Sequence, residues 1–162
     1  MIDVINLQRT VKLETAIYKK FVKELSDSVD EAKDKTFSVA FVSDDRMRKL
    51  NSTFRGKDST TDVLSFPWSE DSLVLNPEGE NNRVQAVSGL GDRSVPAPFL
   101  GDIAISADQA QKQAKENKLT LENEIKQLIL HGLLHLGGYD HETDKGEMNK
   151  RELALRKKLK IN

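Results

Sequence analysis

No cysteine occurs among the 162 residues. This excludes disulfides, Cys-ligated zinc, iron–sulfur clusters and thiol catalysis together, and gives no sign of an oxidising compartment. Any metal must be held by histidine or carboxylate. No apolar run approaches the roughly 20 residues a transmembrane helix needs. The opening Met1-Ile2-Asp3-Val4-Ile5-Asn6 lacks the basic-then-apolar layout of a signal peptide. The expected location is therefore the cytoplasm, with no membrane partner. Neither sign of charge dominates, with 25 Lys and Arg against 26 Asp and Glu and a net charge of −1, so the total does not announce a nucleic-acid ligand. A neutral total can still hide patches. Arg46, Arg48, Lys49, Arg55 and Lys57 lie in one short span, and Lys145, Lys150, Arg151, Arg156, Lys157, Lys158 and Lys160 load the C-terminal end. Solvated helix faces are the plainer explanation of both.

What is present, 37% hydrophobic and 31% charged residues, suits one globular domain spanning 1–162. A chain of this length can bury roughly 70% of the surface its unfolded form exposes, enough for a core without staples. No internal repeat is found, and strand and helix periodicities interleave, which predicts an α+β fold: a small mixed sheet packed with several helices. Ile2–Asn6 and Thr36–Val42 are predicted strands. Between them Leu13, Ile17, Phe21 and Leu25, supported by Ala16 and Val22, mark the buried stripe of a helix. Ser43 should cap a second helix, with Asp44 and Asp45 at its positive end, Met47, Leu50 and Phe54 as its stripe, and Gly56 as its stop.

Asp62–Phe66 is a predicted strand that Pro67 should end, because proline cannot donate to a ladder. A long loop follows over about 68–99, holding three of the four prolines; structureless loops of that length are uncommon in compact domains. Asp102–Ser106 alternates like a strand and Ala107–Asn117 is helical by propensity. Thr120 then offers a cap for the most apolar helix, carrying Leu121, Ile125, Leu128, Ile129, Leu130, Leu133, Leu134 and Leu136, which should run through the core. Gly137-Gly138 stops it. A last amphipathic helix places Met148, Leu155 and Leu159 on one side.

The chemistry gathers where the core helix ends, in His131-Gly132-Leu133-Leu134-His135-Leu136-Gly137-Gly138-Tyr139-Asp140-His141, which holds all three histidines of the chain. His131 and His135 stand four apart on a helix, so both imidazoles can reach a common ion from one rigid element. His141 can join them only if the chain turns back sharply, which Gly137 and Gly138 permit. Packing histidines among leucines without a common partner would be costly, and a metal ion supplies that partner. Zinc held by three neutral histidines keeps an open fourth position and lowers the pKa of bound water to about 7, as a hydrolytic site requires.

The spacing, with glycine at 138, also matches zinc peptidases of the metzincin pattern, where a Glu directly after the first histidine faces the metal and serves as general base. Here that position is Gly132. Loss of a component that typically contributes about 10²–10⁴-fold places peptide hydrolysis below other hydrolytic chemistry.

Residues 131–141, the stretch Asn51-Ser52-Thr53-Phe54-Arg55-Gly56-Lys57-Asp58-Ser59-Thr60-Thr61-Asp62-Val63-Leu64-Ser65-Phe66-Pro67, and Leu100-Gly101-Asp102-Ile103 together resemble the YbeY-type endoribonucleases, bacterial rRNA maturation factors with a three-histidine metal site. The resemblance covers nearly the whole chain and departs from the family at the long connection from Trp68 to Phe99. It implies a single-strand-specific endoribonuclease acting in small-subunit rRNA maturation and ribosome quality control. It further implies one Zn²⁺ on His131, His135 and His141, with ribosomal RNA precursors and the ribosome or its proteins as partners and no DNA. Arg55 matches a key functional arginine of the family, and a guanidinium suits bidentate recognition of a phosphate. Lys57 is a candidate substrate-binding residue through its charge.

Asp140 and Asp102 are both candidates to orient a histidine from behind, while Asp62 could fix the loop that presents Arg55 by hydrogen-bonding local backbone N–H groups. Two other functions remain compatible with the sequence: a metallopeptidase working without the usual Glu, and a ribosome-assembly module whose zinc is structural.

Overall fold

The computed structural model describes residues 3–68, 99–139 and 144–162. The predicted loop at about 68–99 therefore lies outside the described residues except at its ends, and so do Asp140 and His141. Four strands form one mixed sheet: β1 (Asp3–Asn6), β2 (Thr36–Val42), β3 (Val63–Pro67) and β4 (Phe99–Ser106), in the order β1-β2-β4-β3. β1, β2 and β4 run parallel, and β3 lies antiparallel on β4 at the edge. The described helices are α1 (Thr15–Ser28), α2 (Asp44–Arg55), α3 (Ala107–Glu116), α4 (Leu121–Leu136) and α5 (Glu147–Leu159). The expected α+β class is the observed one, and none of these helices is long and apolar enough to cross a membrane.

Side-chain alternation along the strands splits the core in two. Phe37, Val39 and Phe41 of β2 with Ile103 and Ile105 of β4 face α1, α3, α4 and α5. Ala40, Val42, Ala104 and Leu64 face α2, with Phe54 and Phe66 beside them, their rings 5.3 Å apart edge to face. The central strand β2 is buried along its whole length, as a parallel strand covered on both faces must be.

The predicted caps are present. Ser43 Oγ accepts from the Arg46 N–H at 3.2 Å, Thr120 Oγ1 from the Asn123 N–H at 3.1 Å, and Gly56 closes α2 in the left-handed region at φ 66°. Ser106 does double service: its Oγ accepts from the Gln109 N–H at 3.2 Å to cap α3, and donates to Asp44 Oδ1 at 3.0 Å, tying α2 to the end of β4.

Three sequence expectations shift. Pro67 does not end β3 from outside; it is its last residue, opposite Gly101, because an edge strand needs no N–H on its open side. β4 begins three residues earlier than Asp102, and its register with β2 slips between Thr36 and Ser38. Gly101 sits at that slip with φ 141°, and a Cβ there would lie 2.2 Å from the Phe66 carbonyl and 3.0 Å from Leu136. In α1 the buried stripe runs through Tyr18, Phe21, Val22 and Leu25, while Ala16 is exposed. The Tyr18 ring stacks 5.2 Å from Phe41, and burial pushes its hydroxyl up to about 12.

Candidate metal centre

Helix α4 passes through the core with Ile125, Ile129, Leu130, Leu133 and Leu134 fully enclosed, so its axis and rotation are fixed by packing. That leaves His131 and His135 half-buried on one side of its last two turns. Their rings meet edge to face with centroids 4.8 Å apart, and the two Nε2 atoms approach to 3.2 Å.

The far nitrogens are both held. His135 Nδ1 lies 3.0 Å from the Tyr139 carbonyl oxygen. A carbonyl can only accept, so this nitrogen carries the proton. His131 Nδ1 lies 2.6 Å from Glu152 Oε1 on α5. The second Glu152 oxygen accepts from Arg156, one turn further along α5. Burial pushes the Glu152 carboxyl up, but the hydrogen bond from His131 and the charge and hydrogen bond of Arg156 hold the group below the usual carboxylate range.

With both Nδ1 atoms donating, two Nε2 lone pairs face each other, an arrangement that a shared cation relieves. Two nitrogens each about 2.0–2.1 Å from one tetrahedral ion lie about 3.3 Å apart, which is close to the spacing present. The residues therefore fit a metal, and His131 and His135 could supply two of its ligands.

The turn after α4 follows from one of the two glycines. Gly137 keeps an ordinary backbone at φ −78°, and Gly138 takes φ 107°. The reversal brings the Tyr139 N–H onto the Leu134 carbonyl at 3.2 Å, so by Tyr139 the chain runs back beside His135. His141, the third predicted ligand, lies outside the described residues.

Gly132 contradicts the role its position has in zinc peptidases. It is buried, and a Cβ there would stand 2.9 Å from Ile103 Cγ2, so this position faces β4. Ser65 Oγ donates to its carbonyl at 3.0 Å, completing the close approach of α4 to the edge of the sheet.

Asp102 alternates with Ile103 and so faces α2, on the opposite side of the sheet from His131 and His135. It is therefore not their acceptor. Glu152 and the Tyr139 carbonyl, which sequence reasoning missed, take that part. A signal for Glu152 existed: it shares the buried stripe of α5 with Met148 and Leu155, where an unpartnered carboxylate would be costly.

Arg55 and Lys57 flank Gly56 at the end of α2 and are exposed. Neither side chain has a hydrogen-bond or ion-pair partner among the described residues. Phe54 packs on Phe66, Phe66 pairs with Asp102, and Gly101 receives Leu136 at the end of α4. Arg55 thus follows a residue packed over the Gly101 end of β3 and β4, the end that Leu136, next after His135, meets from the other face of the sheet. The loop back to β3 is pinned by the Asn51 amide donating to the Ser59 carbonyl at 2.8 Å, and by Asp62 Oδ1 accepting from the Val63 N–H at 2.8 Å, as expected of Asp62. The C-terminal basic cluster is partly spent inside the fold. Arg151 forks onto Glu31 with two contacts of 2.9 Å, Arg156 holds Glu152, and Lys158 reaches the Ser28 carbonyl at 3.1 Å.

A small α+β domain with two convergent imidazoles on its core helix defines a class of candidate metallohydrolases, and comparison with known proteins narrows it. Residues 3–160 match the family model described as endoribonuclease YbeY, and the chain belongs to that family. Among curated relatives, endoribonuclease YbeY of Nautilia profundicola is 39% identical over 144 residues, covering 89% of this chain and 86% of that protein. Endoribonuclease YbeY of Koribacter versatilis is 45% identical over 123 residues, covering 76% and 64%. The solution structure of TM1509 from Thermotoga maritima superposes with a TM-score of 0.57 at 27% identity, over 95% of this chain and 85% of that one. The peptidase alternative finds no support in these relatives or in the surroundings of Gly132.

Proposed function

We propose that this chain, acting as one domain over 1–162, is a zinc-dependent, single-strand-specific endoribonuclease of the cytoplasm. It would mature small-subunit rRNA precursors in contact with the ribosome or its proteins, in ribosome quality control. Family membership supports RNA as substrate. The observation that carries the metal centre is the pair of Nε2 atoms 3.2 Å apart, each on a ring whose other nitrogen is already committed. His131 and His135 would be two ligands and His141 the third. Zinc bound there would supply Lewis acidity at a phosphoryl oxygen.

The remaining work falls to the chain itself. Glu152 and the Tyr139 carbonyl keep the Nδ1 protons in place, so both rings present Nε2. Arg55, exposed at the end of α2, would offer a planar fork to the scissile phosphate and meet the charge that develops on its oxygens. Lys57 adds to the local field. The test is metal analysis together with cleavage of a structured ribosomal precursor by wild type and His131→Ala. The expected outcome is about one equivalent of zinc in wild type and loss of both metal and cleavage in the variant. Undiminished cleavage by His131→Ala would contradict the proposal.

A further inference from the structure

Beyond the ligands stands α5, which no ligand comes from but which touches the centre through one side chain. We infer that Glu152 is a positioning residue: through its hydrogen bond it holds His131 in the Nδ1–H tautomer, so that Nε2 is delivered to the metal, and Arg156 holds Glu152 in turn. This rests on the metal-centre reading above.

Three observations carry it. The Glu152 side chain is only 8% exposed, and a carboxylate so enclosed needs partners. It has them on both oxygens, His131 Nδ1 at 2.6 Å and Arg156 on its own helix. The neighbouring histidine reaches the same tautomer by a different acceptor, the Tyr139 carbonyl, so the two rings are set alike by unrelated parts of the chain. A free histidine prefers its proton on Nε2, the atom that would have to bind the ion, and an acceptor at Nδ1 reverses that preference.

The helix that brings Glu152 is itself anchored. Arg151 forks onto Glu31, and the Gln127 amide of α4 donates to the Ile161 carbonyl at 2.7 Å just past the end of α5. Helix α5 is thereby fixed against both the core helix and the segment after α1, which keeps the backbone that carries Glu152 in place beside His131.

The experiment compares metal-free wild type, Glu152→Gln and Glu152→Ala. Long-range ¹H–¹⁵N correlation of the imidazoles at about pH 8, where histidine is ordinarily neutral, gives the tautomer. Competition against a chelating chromophore gives the zinc affinity. Wild type should show His131 and His135 both as Nδ1–H. Glu152→Gln, whose amide oxygen still accepts, should keep that tautomer with an affinity within about tenfold of wild type. Glu152→Ala should move His131 toward Nε2–H, leave His135 unchanged, and weaken zinc by about 10–100-fold. A wild-type His131 protonated on Nε2, or on both nitrogens as in a plain ion pair, would overturn the assignment, as would Glu152→Ala with tautomer and affinity unaltered. Should wild type bind no zinc, the metal reading fails by itself, and the tautomer of the metal-free wild-type protein still decides the role of Glu152.

Discussion

The carboxyl of Asp102 is buried on the α2 face of the sheet, and its Oδ1 has no hydrogen-bond partner among the described residues. Its register neighbour on β2, Ser38, is in the same condition at Oγ. Burial alone pushes the acid from 3.8 up to about 7. Between about pH 4 and 7 the unfolded chain has released this proton and the folded protein has kept it, so stability falls as pH rises through that window. The full shift is on the order of 4 kcal/mol, reached only when the folded group ionises. Asp102→Asn should therefore melt higher than wild type at about pH 8 and near it at about pH 4; calorimetry at both values checks this, and parallel pH profiles for the two proteins would refute it. His131 and His135 show the opposite economy, since each Nδ1 has an acceptor and each Nε2 faces the other across the proposed ion site.

The approach of α4 to β4 is set by a missing side chain. A methyl group at Gly132 would meet Ile103, itself fully buried, at 2.9 Å. Gly132→Ala should thus cost about 1–3 kcal/mol by overpacking, even though alanine favours a helix by up to about 1 kcal/mol over glycine. In an Ile103→Ala background the clash is gone and the same change should turn neutral or stabilising. A double-mutant cycle read by urea unfolding measures the coupling, and additive penalties would show that the contact is not responsible.

Most elements could be read from local chemistry alone. Thr36–Val42 was legible in its β-branched and aromatic run, α2 in Ser43 and Gly56, and α4 in Thr120 and its leucines. The tie between α5 and the histidines was not, because Glu152 is 21 residues from His131 and only packing reveals the meeting. Nor was the face of Asp102, which depends on the register of β4. The His131/His135 pair was legible because one turn of helix sets both rings.

The whole molecule carries a net charge of −1, and three of its C-terminal cations are bonded within the fold. Many other cations remain exposed, and among them the proposed contacts with RNA are those of Arg55 and Lys57 at the end of α2. Loss of a charge that only adds to the field should be uniform and salt-dependent: Lys57→Ala should lower the slope of log affinity against log salt by about 0.7, one phosphate contact on a single strand. Arg55→Ala, if the guanidinium meets the reacting phosphate, should cut turnover by about 10²–10³-fold with the fold and metal content intact. Single-turnover cleavage across a salt series separates the two, and equal losses for both variants would remove Arg55 from the site. Dependence of cleavage on an ion held by His131, His135 and His141 is decided by cleavage of a single-stranded ribosomal precursor after chelation and again after return of zinc. Activity should disappear with the metal and return in full with about one equivalent per chain; undiminished cleavage by protein stripped below about a tenth of an equivalent of any transition metal would rule the metal out.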